Sequence, residues 1–366
     1  MPDDANEGRA TFIEVTYPAH RGAIGLRGAH TPLSWEHTTA PSSHDGNRLV
    51  FELMIPEGEL LELKLVRNDE DWAGGRNYTV HAGDHLSIEP YFDRTGATLL
   101  AAEELATPSG TLSYRVLLPP SYDEQENKRY PVLYVQDGQA IWSTSQDPYG
   151  IWSLDKTLDQ LVELNAIEEV IVVGVDTSER RINRLSHVPD PEHGGGDGPG
   201  HLSALVDHLI PLVNERFRTK KDRDNTALMG SSMGGLFSFY AAWTRPDVFG
   251  KAACLSSSFW WAKRHIIRFV QNEVTAPMRP LLYLDSGAAV SAFEKDPSAR
   301  DGFHHTRSMI RALMRHGYIA GVDLHRLTFT GHTHDAAAWA ARVAIPLQIL
   351  FPPPPQTQTL NRAVQE

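Results

Sequence analysis

The stretch "ALMGSSMGGLFSFYAAW", residues 227–243, decides how the rest of the chain is read. Gly230, Ser232 and Gly234 supply the spacing G-x-S-x-G, with Ser232 at its centre. That spacing matches a nucleophile elbow, a sharp strand-to-helix turn in which a strained serine sits exposed with helix amides behind it. Such a turn crowds Cβ atoms against neighbouring backbone, and glycine at 230 and 234 removes the obstacle. Five residues alone are a weak signal, so the context carries the reading. "NTALM" before the turn reads as a short buried strand, and Met233, Leu236, Phe237, Tyr240 and Ala241 after it recur at helical spacing. The alternative is a glycine-rich turn whose serines are incidental.

A serine hydroxyl is a poor nucleophile at neutral pH and needs a base to take its proton. "FTGHTHDAAAWAARVAIPLQILF" places His332 and His334 after the strand "HRLTFT" and before a final amphipathic helix. In an α/β fold with the chain order serine, acid, histidine, the base lies in the last strand-to-helix loop, where His334 stands. Against this, the chain has 17 histidines, and Asp335 next door could simply cap the final helix. His332 and His334 could instead hold zinc, but no Cys, Asp or Glu cluster with the usual ligand spacing accompanies them, and His304-His305 is a remote third ligand. No metal and no organic cofactor are expected.

A tetrahedral oxyanion needs two amide donors aimed at it. Met233 N–H follows the serine and is one. In "YPVLYVQDGQAIW" the strand ends near Gln136 and Asp137-Gly138 makes a turn, so Gln139 N–H is the second. A plain Asp-Gly turn is the alternative.

Outward from these motifs, the chain from residue 111 alternates apolar runs with helical segments. "TLSYRVLLP", "YPVLYVQD", "EVIVVGVD", "KAACLSS" and "PLLYLDS" read as strands, several too uniformly apolar to have one wet face. Leu202, Leu205, Val206, Leu209, Ile210, Val213 and Phe217 form one stripe of a helix over 202–217. This is an α/β pattern with a mostly parallel central sheet covered on both sides. Residues 10–93 instead read as short strands, with Leu61, Leu63 and Leu65 alternating with Glu62 and Lys64, a small N-terminal β-sandwich. The expected organisation is a β-sandwich over 1–105, an α/β domain over 106–352 and an extended tail over 353–366. "HGGGDGPGH", residues 193–201, lacks the ending of a phosphate loop and reads as a mobile loop.

Composition bounds the partners. With 366 residues, 41% hydrophobic and 22% charged, the chain is ordinary for a globular protein of two domains. A net charge of −12 argues against nucleic acid and anionic membrane surfaces. The start "MPDDANEGRATFIEV" lacks a basic-then-apolar signal, no run reaches the roughly 20 apolar residues of a membrane span, and the single Cys254 makes no intrachain disulfide, so the cytoplasm is the expected compartment.

Together "PVLYVQDGQAIW", the serine turn continuing through "TRPDVFGKAACLSSSFWW", and "GHTHDAAAW" resemble the enterochelin esterase-like family of α/β-hydrolases, relatives of feruloyl esterases and mycolyltransferases, over about residues 110–351. "LRGAHTPLSW" and its surroundings resemble the N-terminal β-domain of enterochelin esterase-like proteins, which is similar to modules preceding carbohydrate-active domains. The resemblance implies an α/β-hydrolase fold with Ser232 as nucleophile, His334 as general base and acid, and Gln139 with Met233 as oxyanion hole. The acid departs from the pattern, because the position where the family often carries a carboxylate is Val290. Asp285, Glu294, Asp296 and Asp301 are the choices, and Asp301 comes first because related sequences keep an Asp-Gly before "FHHTRSMIRALMRHGY". An aspartate there also reads as an N-cap, and a serine-histidine pair without an acid stays open.

Trp142, Trp152, Trp260 and Trp261 fall in or near loops at the sheet edge where ligands bind, and an aromatic acyl group could stack on them; closing the core is their other reading. Arg180, Arg181 and Arg184 could meet an anionic ester or line a solvated loop. The expected function is a serine-dependent carboxylic ester hydrolase acting on a small-molecule ester, a siderophore-type lactone or a feruloyl or acyl-sugar ester. An acyltransferase of the same fold and a non-catalytic glycan-binding protein are the alternatives. The N-terminal unit stands open as glycan module, lid or homodimer surface.

Overall fold

Uniformly apolar strands need cover on both faces, and the computed structural model, which describes residues 8–273, 278–290, 295 and 300–353, provides it. Val132–Gln136 and Thr226–Ser231 are buried throughout, and Ile171–Asp176 is buried up to its last residue. Successive residues point to opposite sides: Val132 and Tyr134 join one core with Leu228, whereas Leu133 and Val135 join another with Ala227 and Met229.

Among the described residues this sheet has nine strands. Their spatial order is Glu103–Thr107, Gly110–Leu118, Ile171–Asp176, Val132–Gln136, Thr226–Ser231, Lys251–Leu255, Leu281–Ala288 and Leu324–Thr330, with Thr98–Leu99 beside Gly110–Leu118. From Ile171–Asp176 to Leu324–Thr330 every neighbouring pair is parallel, and Gly110–Leu118 joins antiparallel. The chain winds outward in one direction after Val132–Gln136 and in the other after Thr226–Ser231. These two strands are adjacent, so the loops that follow them face each other across the switch point, where open α/β sheets bind ligands.

Residues 9–88 form two four-stranded sheets. One has the order Ser43–Asp45, Arg48–Ile55, Arg9–Thr16, His85–Ile88; the other pairs Leu60–Arg67 with Ile24–Gly28, Asp71–Trp72 and Tyr78–His81. Both feed one core containing Ile13, Val15, Phe51, Leu53, Leu61, Leu63 and Leu65. No helix of the described residues is long and apolar enough to cross a membrane.

Three local expectations change. The "HGGGDGPGH" stretch is not all loop: Gly194–Gly195 pairs with Pro189–Asp190, and a helix already starts at Gly198, with Pro199 in the first turn, where its missing N–H is no loss. The helix expected over 202–217 runs from Gly198 to Arg216 and widens to a π turn at Leu205–Leu209, because Pro211 has no N–H to give the carbonyl of Asp207. The last helix is likewise split into Ala336–Ala340 and Ala344–Leu350 ahead of Pro346.

A buried carboxylate joins the N-terminal sheets to the large sheet. Glu124, 2% exposed, accepts from Tyr17 OH at 2.5 Å and Arg67 at 3.3 Å through one oxygen, and from the amides of Phe92 at 2.8 Å and Asp93 at 3.0 Å through the other. Removing it strands two amides and the Tyr17 hydroxyl, while Arg67 keeps Asp71 and Asp93. Glu124→Ala is expected to lower unfolding stability by about 2–4 kcal/mol in urea denaturation, with Glu124→Gln milder. A change below about 0.5 kcal/mol in the alanine variant would show that the joint does not depend on this carboxylate.

Candidate active site

Between Thr226–Ser231 and the helix Met233–Thr244, Ser232 alone makes the turn, with φ 54° and ψ −117°, a conformation that strains a residue bearing a Cβ. Its backbone is tied on both sides. Ser232 N–H donates to Leu255 O at 2.9 Å, and its carbonyl accepts from Leu236 N–H at 3.0 Å and Ser258 N–H at 2.9 Å. A Cβ on Gly230 would lie 2.5 Å from the carbonyl carbon of Gly234, so the turn closes only with glycine there.

His334 follows the last strand, and its Nε2 lies 2.9 Å from Ser232 Oγ. Its Nδ1 bonds Asp301 Oδ1. Asp301 is 1% exposed, and its other oxygen accepts from Ser256 Oγ at 2.5 Å and from Gly287 N–H. A carboxylate with its remaining oxygen occupied by donors takes the Nδ1 proton as acceptor, which leaves the Nε2 lone pair for the serine hydroxyl. Asp301 does not cap the helix Phe303–Arg315: Gly302 holds the cap position without a side-chain bond, and Asp301 itself sits at φ 42°.

The other acid choices fall elsewhere. Asp285 is fully buried on its strand, where Arg342 binds both oxygens at 3.0 and 3.1 Å and Tyr283 OH donates at 2.9 Å. Burial pushes its carboxyl up, and Arg342 pulls it back. Glu294 and Asp296 lie outside the described residues, and Val290 is 81% exposed. His332 Nδ1 lies 3.4 Å from Arg342, away from Ser232. Among the described residues no group of three or more His, Cys, Asp or Glu side chains converges as metal ligands do.

Met233 begins its helix, so its N–H has no acceptor within the helix. Gln139 lies in the turn Gly138–Ala140 beyond the neighbouring strand, and its Oε1 accepts from Thr177 N–H at 3.2 Å. A cavity of about 550 Å³ opens beside Ser232 and His334, lined also by Ser258, Trp260, Phe303 and His304. Of the four tryptophans expected there, Trp260 alone lines it, 39% exposed. Trp142 and Trp152 are packed in the core with Leu154, Leu158 and Met229, and Trp261 is buried with its Nε1 donating to Val188 O at 2.7 Å. Their large apolar faces help close the interior. The three arginines are held within the protein too: Arg180 by Asp197, Arg181 by Asp137, and Arg184 by the carbonyl of Thr111.

Sequence reasoning missed three contributors. Ser258 Oγ lies 3.2 Å from Ser232 Oγ. Ser256 Oγ accepts from Arg342 at 2.6 Å and Trp339 Nε1 at 2.9 Å while donating to Asp301. Arg342, 1% exposed, was signalled by being the lone charge in "AAWAARVAIPL", and the serines by their position at the end of the strand "KAACL".

A mostly parallel sheet, a strained serine at its switch point and a histidine after its last strand define an α/β-hydrolase-like protein. Residues 106–345 match the family model described as "Putative esterase", and the chain belongs to that esterase family. It is 27% identical over 201 residues to the iron(III) enterobactin esterase of Escherichia coli strain K12, a match covering 54% of this chain and 46% of that one. It is 26% identical over 242 residues to an endo-1,4-beta-xylanase/feruloyl esterase of Xylanibacter ruminicola, covering 64% and 29% respectively. The matches thus span about half or less of these two relatives' length. The solved enterobactin esterase of Shigella flexneri, crystallised with 2,3-di-hydroxy-N-benzoyl-serine, shares the fold at 15% identity and a TM-score of 0.53, covering 90% of this chain and 88% of that one.

Behind the site, two histidines are buried. His201 Nε2 donates to Gln136 Oε1 at 2.9 Å, and burial pushes this imidazole down to about 3. His187, beside His265, is pushed down to about 4, again chiefly by burial. Both are neutral in the fold and protonate in the unfolded chain below about pH 6.5. Their stabilisation is therefore complete above that pH and is lost as pH falls toward 4 for His187 and 3 for His201, at up to about 1.4 kcal/mol per pH unit for each. Urea denaturation from pH 7 to 4.5 is expected to show this decline, with His201→Leu flatter by one proton's slope; an equally steep variant would contradict it.

Proposed function

We propose that this protein is a serine-dependent carboxylic ester hydrolase of the enterochelin esterase type, working through an acyl-enzyme. The observation that carries the reading is the chain of contacts Ser232 Oγ to His334 to Asp301, anchored at a strained turn beside an open cavity. Ser232 attacks the ester carbonyl as its proton moves to His334 Nε2, and Asp301 balances the imidazolium. The amides of Met233 and Gln139 hold the oxyanion; the alcohol leaves with the proton from His334, and water repeats the cycle to release the acid.

The substrate we assign is an ester with an aromatic acyl group, of the siderophore-lactone or feruloyl type. Trp260 and Phe303 give the cavity aromatic walls, and Arg300, His304 and His305 line it as well. Relatives named enterobactin esterase and feruloyl esterase support both types. In this reading residues 106–352 are the catalytic domain, and the two-sheet unit before residue 105 is a separate β-sandwich.

Turnover of short-chain nitrophenyl esters, with mass spectrometry after a fluorophosphonate probe, tests the proposal. Ser232→Ala is expected to lose turnover and labelling. Asp301→Asn is expected to lower kcat by about 10³–10⁴-fold. Asp285→Asn is expected to lower the melting temperature by removing the carboxylate that Arg342 bonds through two nitrogens, with kcat of the folded protein within about tenfold of wild type. Folded wild type that neither turns over nor labels would remove the mechanism, and the reverse ranking of the two aspartates would move the acid to Asp285.

A further inference from the structure

We infer that Arg181 is a positioning residue for the oxyanion-binding turn: its guanidinium clamps Asp137, and Asp137 sets the Gln139 amide against Met233. The inference rests on the esterase reading above, which does not itself assign Arg181 a role.

Asp137 stands at the hinge of that turn in a left-handed conformation, φ 60° and ψ 43°, which a residue with a Cβ holds only when its surroundings enforce it. Its side chain makes the enforcing contacts. Arg181 Nε donates to Oδ1 and Nη2 to Oδ2, each at 2.7 Å, and Thr177 Oγ1 adds a bond of 2.5 Å to Oδ1. Asp137 is 8% exposed, so the carboxylate end of this two-pronged pair is shielded from water, while a third of the Arg181 side chain stays exposed. Thr177 also donates its N–H to Gln139 Oε1, so the segment 177–181 grips the turn at residue 137 and again at residue 139. Beneath it, a Cβ on Gly138 would lie 2.5 Å from the carbonyl carbon of Gly174, which presses the turn onto the same strand that leads to Thr177.

The carboxylate also touches the other half of the site. Asp137 Oδ2 lies 3.2 Å from where a Cβ on Gly234 would stand, and Gly234 is the residue after Met233. One anchored side chain therefore abuts both the turn carrying the Gln139 amide and the first turn of the helix carrying the Met233 amide. Two amides can share one oxyanion only if their spacing is fixed before charge develops, and a planar five-donor fork fixes it where a flexible ammonium does not. With Nε and Nη2 both on Asp137, Arg181 is directed inward, which sets this role apart from the capture of an anionic substrate.

The test uses Arg181→Lys, Arg181→Met and Asp137→Asn in the full chain. The readouts are kcat and KM for an uncharged and for an anionic nitrophenyl ester, the inhibition constant of an alkyl boronic acid that forms a tetrahedral adduct on Ser232, and the inhibition constant of the matching carboxylate product. Circular dichroism and melting curves identify folded variants, and Asp137→Asn, which keeps the side-chain volume, serves if the arginine variants do not fold. The expected result is a kcat lower by about 10–100-fold in Arg181→Lys with KM within twofold. Boronate affinity falls in step with kcat/KM, and product affinity stays the same. Unchanged kcat in folded variants overturns the inference while leaving the esterase reading intact. So does a loss in which boronate and product affinities fall together, the signature of a general structural role, or a loss confined to KM for anionic esters. Wild type that neither turns over nor labels at Ser232 removes the esterase reading and this inference with it.

Discussion

The backbone of Ser232 is the constraint on which the rest of the site depends. A non-glycine residue at φ 54° persists only if its neighbours determine it from several sides. Here Leu255 and Ser258 do so, and they bracket the segment after the next strand. That segment includes Ser256, whose hydroxyl meets Asp301, Arg342 and Trp339. The bonds that hold the serine turn in shape thus belong to the same loop that fixes the aspartate facing His334. Serine, histidine and aspartate come from three distant parts of the chain, yet they are set by one connected set of hydrogen bonds.

The charges in that set explain why so much is buried. Asp285, Asp301 and Arg342 are all nearly inaccessible, and Arg342 Nη2 lies 3.6 Å from Asp301 as well as bonding Asp285. With Asp285 matched by the guanidinium, one negative charge remains while His334 is neutral. In the proposed reaction the proton leaving Ser232 makes His334 an imidazolium and brings the cluster to balance. Burying a pair such as Asp285–Arg342 carries a desolvation penalty and is weak support for stability by itself. Its value here lies in holding Ser256 and the strand end rigid beside Asp301.

How much of this the sequence discloses depends on the range of the interaction. The serine turn is local, since glycine spacing, a short apolar strand and helical periodicity all lie within 17 residues of one another, and His334 follows from chain order. The mostly parallel sheet is legible because runs such as "IVVGVD" have no polar face. Asp301 is harder: beside a helix start the local pattern reads equally well as a cap, and its contact with His334, 33 residues on, shows only in the fold. The tryptophans are harder still, because a ring's burial depends on what other segments leave open. Trp260 and Trp261 are adjacent in sequence, yet one lines the cavity and the other closes the core.

The residues that strain the backbone show what the site demands of its sequence. Asp137, Ser232, Ser256 and Asp301 all have positive φ, where glycine would be the unstrained choice. At Gly138 and Gly230 the chain does use glycine, because a Cβ would strike backbone there. The four strained positions differ in that each side chain is engaged: Asp137 with Arg181, Ser232 with His334, Ser256 with Arg342, and Asp301 with His334. Glycine would relieve the strain and delete the contact. The positive-φ turns aim these side chains at these partners, and the contacts they make hold the turns in place.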